Sequence, residues 1–222
     1  MSGSESGASS QDTTVIRILG LAGSLRATSA TRMAVRWALA GAHQEGAKAE
    51  LLDLAGYDLP FLGQDGTGGA TRGLERFLAD LRAADGIILG SPEIHGSVSG
   101  VLKNALDLTD RGLFEGKMLG LIGVAGGRMG ASETLSHLRT IGRSLHAWVV
   151  PNQASIASAD DAFDSRGEPS NPEVGDRLKA VGGQVAHFAR LHKCGNHLQF
   201  LKDWEGAGAQ DGEVRRTAIT GQ

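Results

Sequence analysis

The chain has 222 residues, and 22 Lys and Arg against 25 Asp and Glu give a net charge of -3, with 33 Gly and a single Cys. That length suits one α/β domain with short flanking tails, and a balanced charge without a basic block excludes nucleic acid as a partner. Cys194 alone excludes an internal disulfide and suits a reducing cytoplasm, and apolar runs no longer than a strand exclude a membrane span.

Residues 1–14 are small, polar and partly acidic, without an apolar h-region, and read as a disordered tail. Residues 15–19 (V-I-R-I-L) read as a buried strand. Gly20 and Gly23 follow, then Ser24, Thr28, Ser29 and Thr31 around Arg26. A helical pattern comes next, with Met33, Ala34, Trp37 and Ala38 on one face, closed by Gly41 or Gly46. Residues 49–54 read as the second strand and 57–61 as a loop, because Pro60 interrupts a ladder. Residues 64–70 are glycine-rich and expected to be mobile, and 71–84 form an amphipathic helix on Leu74, Phe77, Leu78 and Leu81. Residues 86–90 are an unbroken apolar strand covered on both faces. The loop 91–100 leads to a helix over 101–109. A strand over 117–125 ends in Gly126-Gly127-Arg128-Met129-Gly130, and a helix follows over 131–141. The fifth strand is expected at 148–150. Residues 158–170 are acidic and polar, a surface excursion, and 172–191 make the last helix, with Pro172 at its first turn. The domain is expected over 15–193, with 194–222 a loosely structured tail.

Strands alternating with helices imply a parallel sheet with right-handed crossovers, doubly wound in three layers with order 2-1-3-4-5. Ligands of such folds sit beyond the carboxyl ends of the strands, at the switch point between the first and third. Three loops leave those ends, at 23–31, 91–99 and 126–130, and all are rich in Gly and Ser. Strand, glycine-and-hydroxyl turn, then helix is the build of a phosphate site: backbone amides, hydroxyls and the positive helix end all face an anion. No G-x-x-x-x-G-K-[ST] is present to hold a triphosphate, and G-x-x-G is not the dinucleotide pattern G-x-G-x-x-G. A hydroxyl-rich turn suits a terminal phosphomonoester, such as the one FMN carries. The plainer reading is a Ser/Thr-capped first helix.

The segments G-S-L-R-x-x-S-x-x-R at 23–32 and S-P-E-x-H-G-S-V-S-G-V-L-K-N-A-L-D at 91–107 resemble the signatures of the NADPH-dependent FMN reductase family. These flavodoxin-like proteins include azoreductases, chromate reductases and quinone reductases. By this resemblance Ser24, Arg26, Ser29 and Thr31 would hold the FMN phosphate. Pro92, Glu93, Ile94, His95 and Gly96 would border the isoalloxazine, largely through backbone groups. Gly126 and Gly127 would present amides near the flavin N1/O2 edge, where fixed donors stabilise the charge of the reduced ring. Hydride would pass from NAD(P)H, the co-substrate, to the flavin, with no catalytic side chain required because the cofactor carries the chemistry. The resemblance also implies a homodimer or homotetramer with each flavin near a subunit boundary. One departure stands out: relatives commonly place an aromatic residue at Ile94.

Each residue also has a plainer role. Arg26 serves as a solvated charge, Glu93 caps the following turn, and His95 shapes the loop. Arg128 meets the NADPH 2′-phosphate or a substrate carboxylate, or is an exposed loop charge. Lys103, Asn104 and Asp107 serve dimer packing as easily as flavin. His187 and His192 are five apart and do not share a helix face, so with Cys194 and His197 no metal is expected. The expected activity is electron transfer from NAD(P)H through FMN to a small acceptor, a quinone or free flavin. One alternative is an FMN-dependent dehydrogenase of a small cyclic carboxylated metabolite, such as an aminodeoxychorismate, in secondary metabolism. The other is a non-enzymatic flavodoxin-like electron carrier, for which a strongly acidic docking face would be needed.

Overall fold

Side chains alternate across a strand, so a strand covered on both faces is apolar throughout. Strands β1 (Arg17–Ala22), β3 (Gly86–Pro92) and β4 (Met118–Val124) are of this kind, buried almost end to end. They form the middle of a five-stranded parallel sheet, flanked by β2 (Lys48–Leu52) and β5 (Trp148–Ile156) in the order β2-β1-β3-β4-β5. The computed structural model describes residues 15–63 and 71–193. The tails expected at 1–14 and 194–222, and the glycine-rich 64–70, lie outside the described residues.

One sheet face packs Ile18, Ile88 and Ile122 under helices α1 (Ala30–Gln44) and α5 (Pro172–Lys193). The other packs Leu19, Ile87, Leu89 and Leu121 under α2 (Arg72–Arg82), α3 (Gly100–Asp107) and α4 (Ser132–Ser144). Helices α1 and α5 approach so closely that a Cβ on Gly182 would collide with the Ala38 carbonyl. Among the described residues no helix is long and apolar enough to cross a membrane.

Several boundaries differ from those read in the sequence, three of them with a local physical cause. The first helix begins at Ala30, because the Ser29 hydroxyl accepts from the Arg32 amide at 3.1 Å and caps it. The second strand stops at Leu52, because the Asp53 carboxylate accepts from the Ala55 amide at 3.1 Å and starts a short 3-10 turn over Leu54–Gly56. The fifth strand runs nine residues rather than three. It is the sheet's edge, where Pro151 costs little, and a bulge opposite Leu119 and Leu121 absorbs the extra length: these two pair with Val149 and Gln153.

Candidate functional site

At the switch point between β1 and β3 lies a cavity of about 490 Å³. Its two main loops are fixed against each other by buried hydroxyls. The Gly23 amide donates to the Gly90 carbonyl at 2.7 Å, and Ser99 Oγ donates to the Gly23 carbonyl at 2.6 Å. Ser99 Oγ also accepts from the Leu102 amide and caps α3, while Ser91 Oγ accepts from the Ser99 amide at 2.9 Å. A Cβ on Gly23 would stand 2.7 Å from that Ser99 hydroxyl. Only glycine permits this junction.

One end of the cavity is polar, lined by Ser24, Arg26, Thr28, Ser29, Ala30 and Thr31. As the first two residues of α1, Ala30 and Thr31 present amides that have no intrahelical acceptor. Arg26 is exposed on the loop, its own amide directed at Ser24 Oγ, 3.4 Å away. Arg32, the last arginine of the sequence motif, points elsewhere. Buried, it donates from both terminal nitrogens to the two Asp53 oxygens at 2.7 and 3.0 Å, pinning the end of β2 to α1. That bond above all, reinforced by the Ala55 amide and the nearby arginines, holds the Asp53 carboxyl below the usual carboxylate range.

The other end is apolar. Pro92, Ile94 and Val124 line it together with Met33, Ala159 and Phe163, and Asp160 joins the wall. Ile94 and Ser97 pair as a two-residue hairpin, with amide-to-carbonyl distances of 2.9 and 3.1 Å. Its central residues, His95 and Gly96, have φ of 51° and 72°, as a type I′ turn requires. His95 is thus an exposed turn residue, and Glu93 turns away from the cavity to accept from the Thr134 amide at 3.1 Å in the first turn of α4. The cap expected of Glu93 therefore serves a helix distant in sequence.

Of the twelve residues singled out in the sequence, the cavity wall brings together Ser24, Arg26, Ser29, Thr31, Pro92 and Ile94. Glu93, His95 and Gly96 are not part of that wall, and His95 and Gly96 are exposed at the hairpin turn. Gly126, Gly127 and Arg128 lie exposed on the loop after β4, with open space where a Cβ on either glycine would be. Lys103 pairs with Asp107 at 2.6 Å, and Asn104 donates to the Pro60 carbonyl at 3.0 Å, so both have structural partners. Among the described residues no cluster of His, Cys, Asp and Glu could hold a metal ion.

Sequence reasoning missed the contribution of residues 158–170, read as a surface excursion. The segment carries Ala159, Asp160 and Phe163 into the wall. Amides of Ser158 and Ala159 donate to the carbonyls of Gly127 and Ala125, both at 3.0 Å, laying it over the loop after β4. Asp164 Oδ1 collects the Arg166 and Glu168 amides, and Trp37 Nε1 donates to the Gly167 carbonyl at 2.9 Å, tying it to α1. Only D-S-R-G at 164–167 announced a built turn. Nothing local announced where that turn would lie.

An anion-accepting end and an apolar end within one cavity suit an elongated ligand with a phosphate tail and a flat ring system. A family model described as NADPH-dependent FMN reductase matches residues 16–161. An FMN-dependent NADPH-azoreductase of Staphylococcus aureus (strain USA300) is 44% identical over 124 residues, 54% of this chain and 65% of that protein. The chain therefore spans just under two thirds of the length of that curated relative. Among solved structures, the flavoenzyme NAD(P)H:(acceptor) oxidoreductase FerB from Paracoccus denitrificans superposes with a TM-score of 0.68 at 21% identity, covering 80% of this chain and 99% of that one. An oxidoreductase from Corynebacterium diphtheriae gives 0.63 at 22% identity, over 78% and 96%. At those identities the two structures speak for the fold, which is flavodoxin-like.

Proposed function

The chain belongs to the NADPH-dependent FMN reductase family, and from that membership we propose that it is an oxidoreductase carrying electrons from NAD(P)H through bound FMN to a small acceptor. The observation that carries this reading is the shared cavity, with Ser24, Arg26, Ser29 and Thr31 at one end and Pro92, Ile94 and Val124 at the other.

The residues present fit FMN. Two free helix-start amides, a cluster of hydroxyls and a guanidinium match a phosphomonoester. The apolar end matches a ring system, and small-ligand sites commonly occupy about 300–1,000 Å³. FMN held there would supply the redox chemistry of an NAD(P)H-dependent oxidoreductase. The protein's part is to bind and orient. Ser24, Arg26, Ser29 and Thr31 hold the phosphate, and Pro92 and Ile94 border the ring. Glu93 anchors the loop through the Thr134 amide, and His95 and Gly96 form the turn that follows Ile94. Gly126 and Gly127, with space around them, leave their backbone open to the ring edge, and Arg128 beside them is assigned to an anionic group of NAD(P)H or the acceptor. Asp160, in the same wall, offers an acceptor to ribityl hydroxyls.

A quinone or free flavin fits as acceptor, and the azoreductase relative adds aromatic azo compounds. The homodimer or homotetramer implied by the resemblance is part of this proposal, and light scattering on the purified protein checks it. The dehydrogenase and electron-carrier readings draw no support from the relatives named above. The test is steady-state NADPH oxidation by FMN-loaded protein with a quinone, with FMN and with an azo dye. Acceptor-dependent oxidation with a ping-pong pattern is expected. NADPH oxidation that occurs with none of the three acceptors would overturn the proposal.

A further inference from the structure

One turn of α4 grips the hairpin that shapes the apolar end of the cavity. Thr134 is wholly buried and donates twice to the loop after β3. Its amide reaches Glu93 Oε2 at 3.1 Å, and its Oγ1 reaches the Ser97 carbonyl at 3.1 Å. His137, three residues on, meets Ser97 Oγ through Nδ1 at 3.0 Å. Residues three apart lie on one helix face, so a single face holds both stems of the hairpin.

The Ser97–His137 contact is neither a pH switch nor a nucleophile. A hydroxyl both donates and accepts, so the bond survives any protonation state of the ring. No carboxylate among the described residues orients His137, as a triad would require. The Glu93 bond has a different character: α4 is preceded by Ala131, which supplies no side-chain cap, and the Glu93 carboxylate fills that role at the positive helix end. With Glu93 turned to α4, its neighbours Pro92 and Ile94 are left to form the cavity wall.

We propose that Thr134, together with Glu93, is a positioning residue that fixes where Pro92 and Ile94 stand, and through them the affinity for the ring portion of the cofactor. It does so without touching the ligand. The inference rests on the FMN reading of the cavity.

The test compares Thr134→Val with Thr134→Ser in the full chain. Valine keeps the volume and loses the hydroxyl, and serine keeps the hydroxyl. Hydrogen exchange at the Ile94 and Ser97 amides is read in flavin-free protein, and dissociation constants are then measured for riboflavin and FMN. For one lost hydrogen bond, exchange in the valine variant is expected to quicken about three- to tenfold. Riboflavin and FMN should weaken by the same factor, since the phosphate end is untouched, and serine should restore both readings. If the valine variant does not fold, Glu93→Gln is read in the same way, with at least about a twofold effect expected from loss of the charge. Unchanged exchange overturns the clamp. Faster exchange with unchanged riboflavin affinity overturns the positioning role. A wild-type protein that binds neither flavin overturns the FMN reading, while the exchange result still decides the clamp.

Discussion

Two arginines six residues apart show how one motif splits its charges. Arg26 lies exposed in the cavity wall, and Arg32 is buried in a two-pronged bond to Asp53. The sequence motif assigns only Arg26 to the phosphate and gives Arg32, its last residue, no role of its own. The pattern G-S-L-R-x-x-S-x-x-R marks the loop, but which arginine faces outward depends on where β2 ends, and no local signal states that. For Arg26→Ala the expected loss is a charge-assisted bond of about 1.5–3 kcal/mol. FMN affinity should fall roughly tenfold or more while riboflavin affinity scarcely changes. Isothermal titration with both flavins checks this, and equal losses would place Arg26 away from the phosphate. Glu93 teaches the same lesson from the other side: its neighbours line the cavity, whereas its own carboxylate serves α4.

Among the elements, the buried strands and amphipathic helices were legible because burial writes itself into a period of two or 3.6 residues. The fifth strand was legible only in its first residues. Pro151, Asn152 and Gln153 break the apolar run, yet all three are exposed on an edge strand, where polar residues cost nothing. The wall formed by residues 158–170 was hidden for a related reason. Its polar sequence is correct for its outer surface, while its position follows from the crossover between β5 and α5. The join between β2 and α1 makes a testable element-scale claim. The Asp53 carboxyl is depressed by Arg32, so its contribution to stability is fully present above the unfolded-state pKa of about 3.9 and is lost as pH falls through the folded value. Asp53→Asn should lower stability at pH 7 by about 1 kcal/mol, a figure kept small because the Asp53 side chain is half-exposed and solvent-screened. The gap from wild type should begin to narrow below about pH 4 and close as pH falls past the depressed folded value. Urea unfolding at the two pH values checks it, and a gap that persists in acid would remove the ion pair from the explanation.

At the scale of the molecule, the all-parallel order β2-β1-β3-β4-β5 brings the loops after all five strands to one edge of the sheet and leaves a cleft where β1 and β3 lead their chains in opposite directions. Alternation of strand and helix made that order readable in the sequence, and it places a phosphate-type turn beside a loop able to border a ring. The proposed activity requires that cleft to hold FMN in a form that NADPH can reduce. The most direct measurement is anaerobic rapid mixing of FMN-loaded protein with NADPH while the visible flavin band is followed. The expected result is bleaching within a single turnover, with colour restored on adding a quinone. A protein that retains no FMN, or whose flavin stays oxidised under excess NADPH, would contradict it.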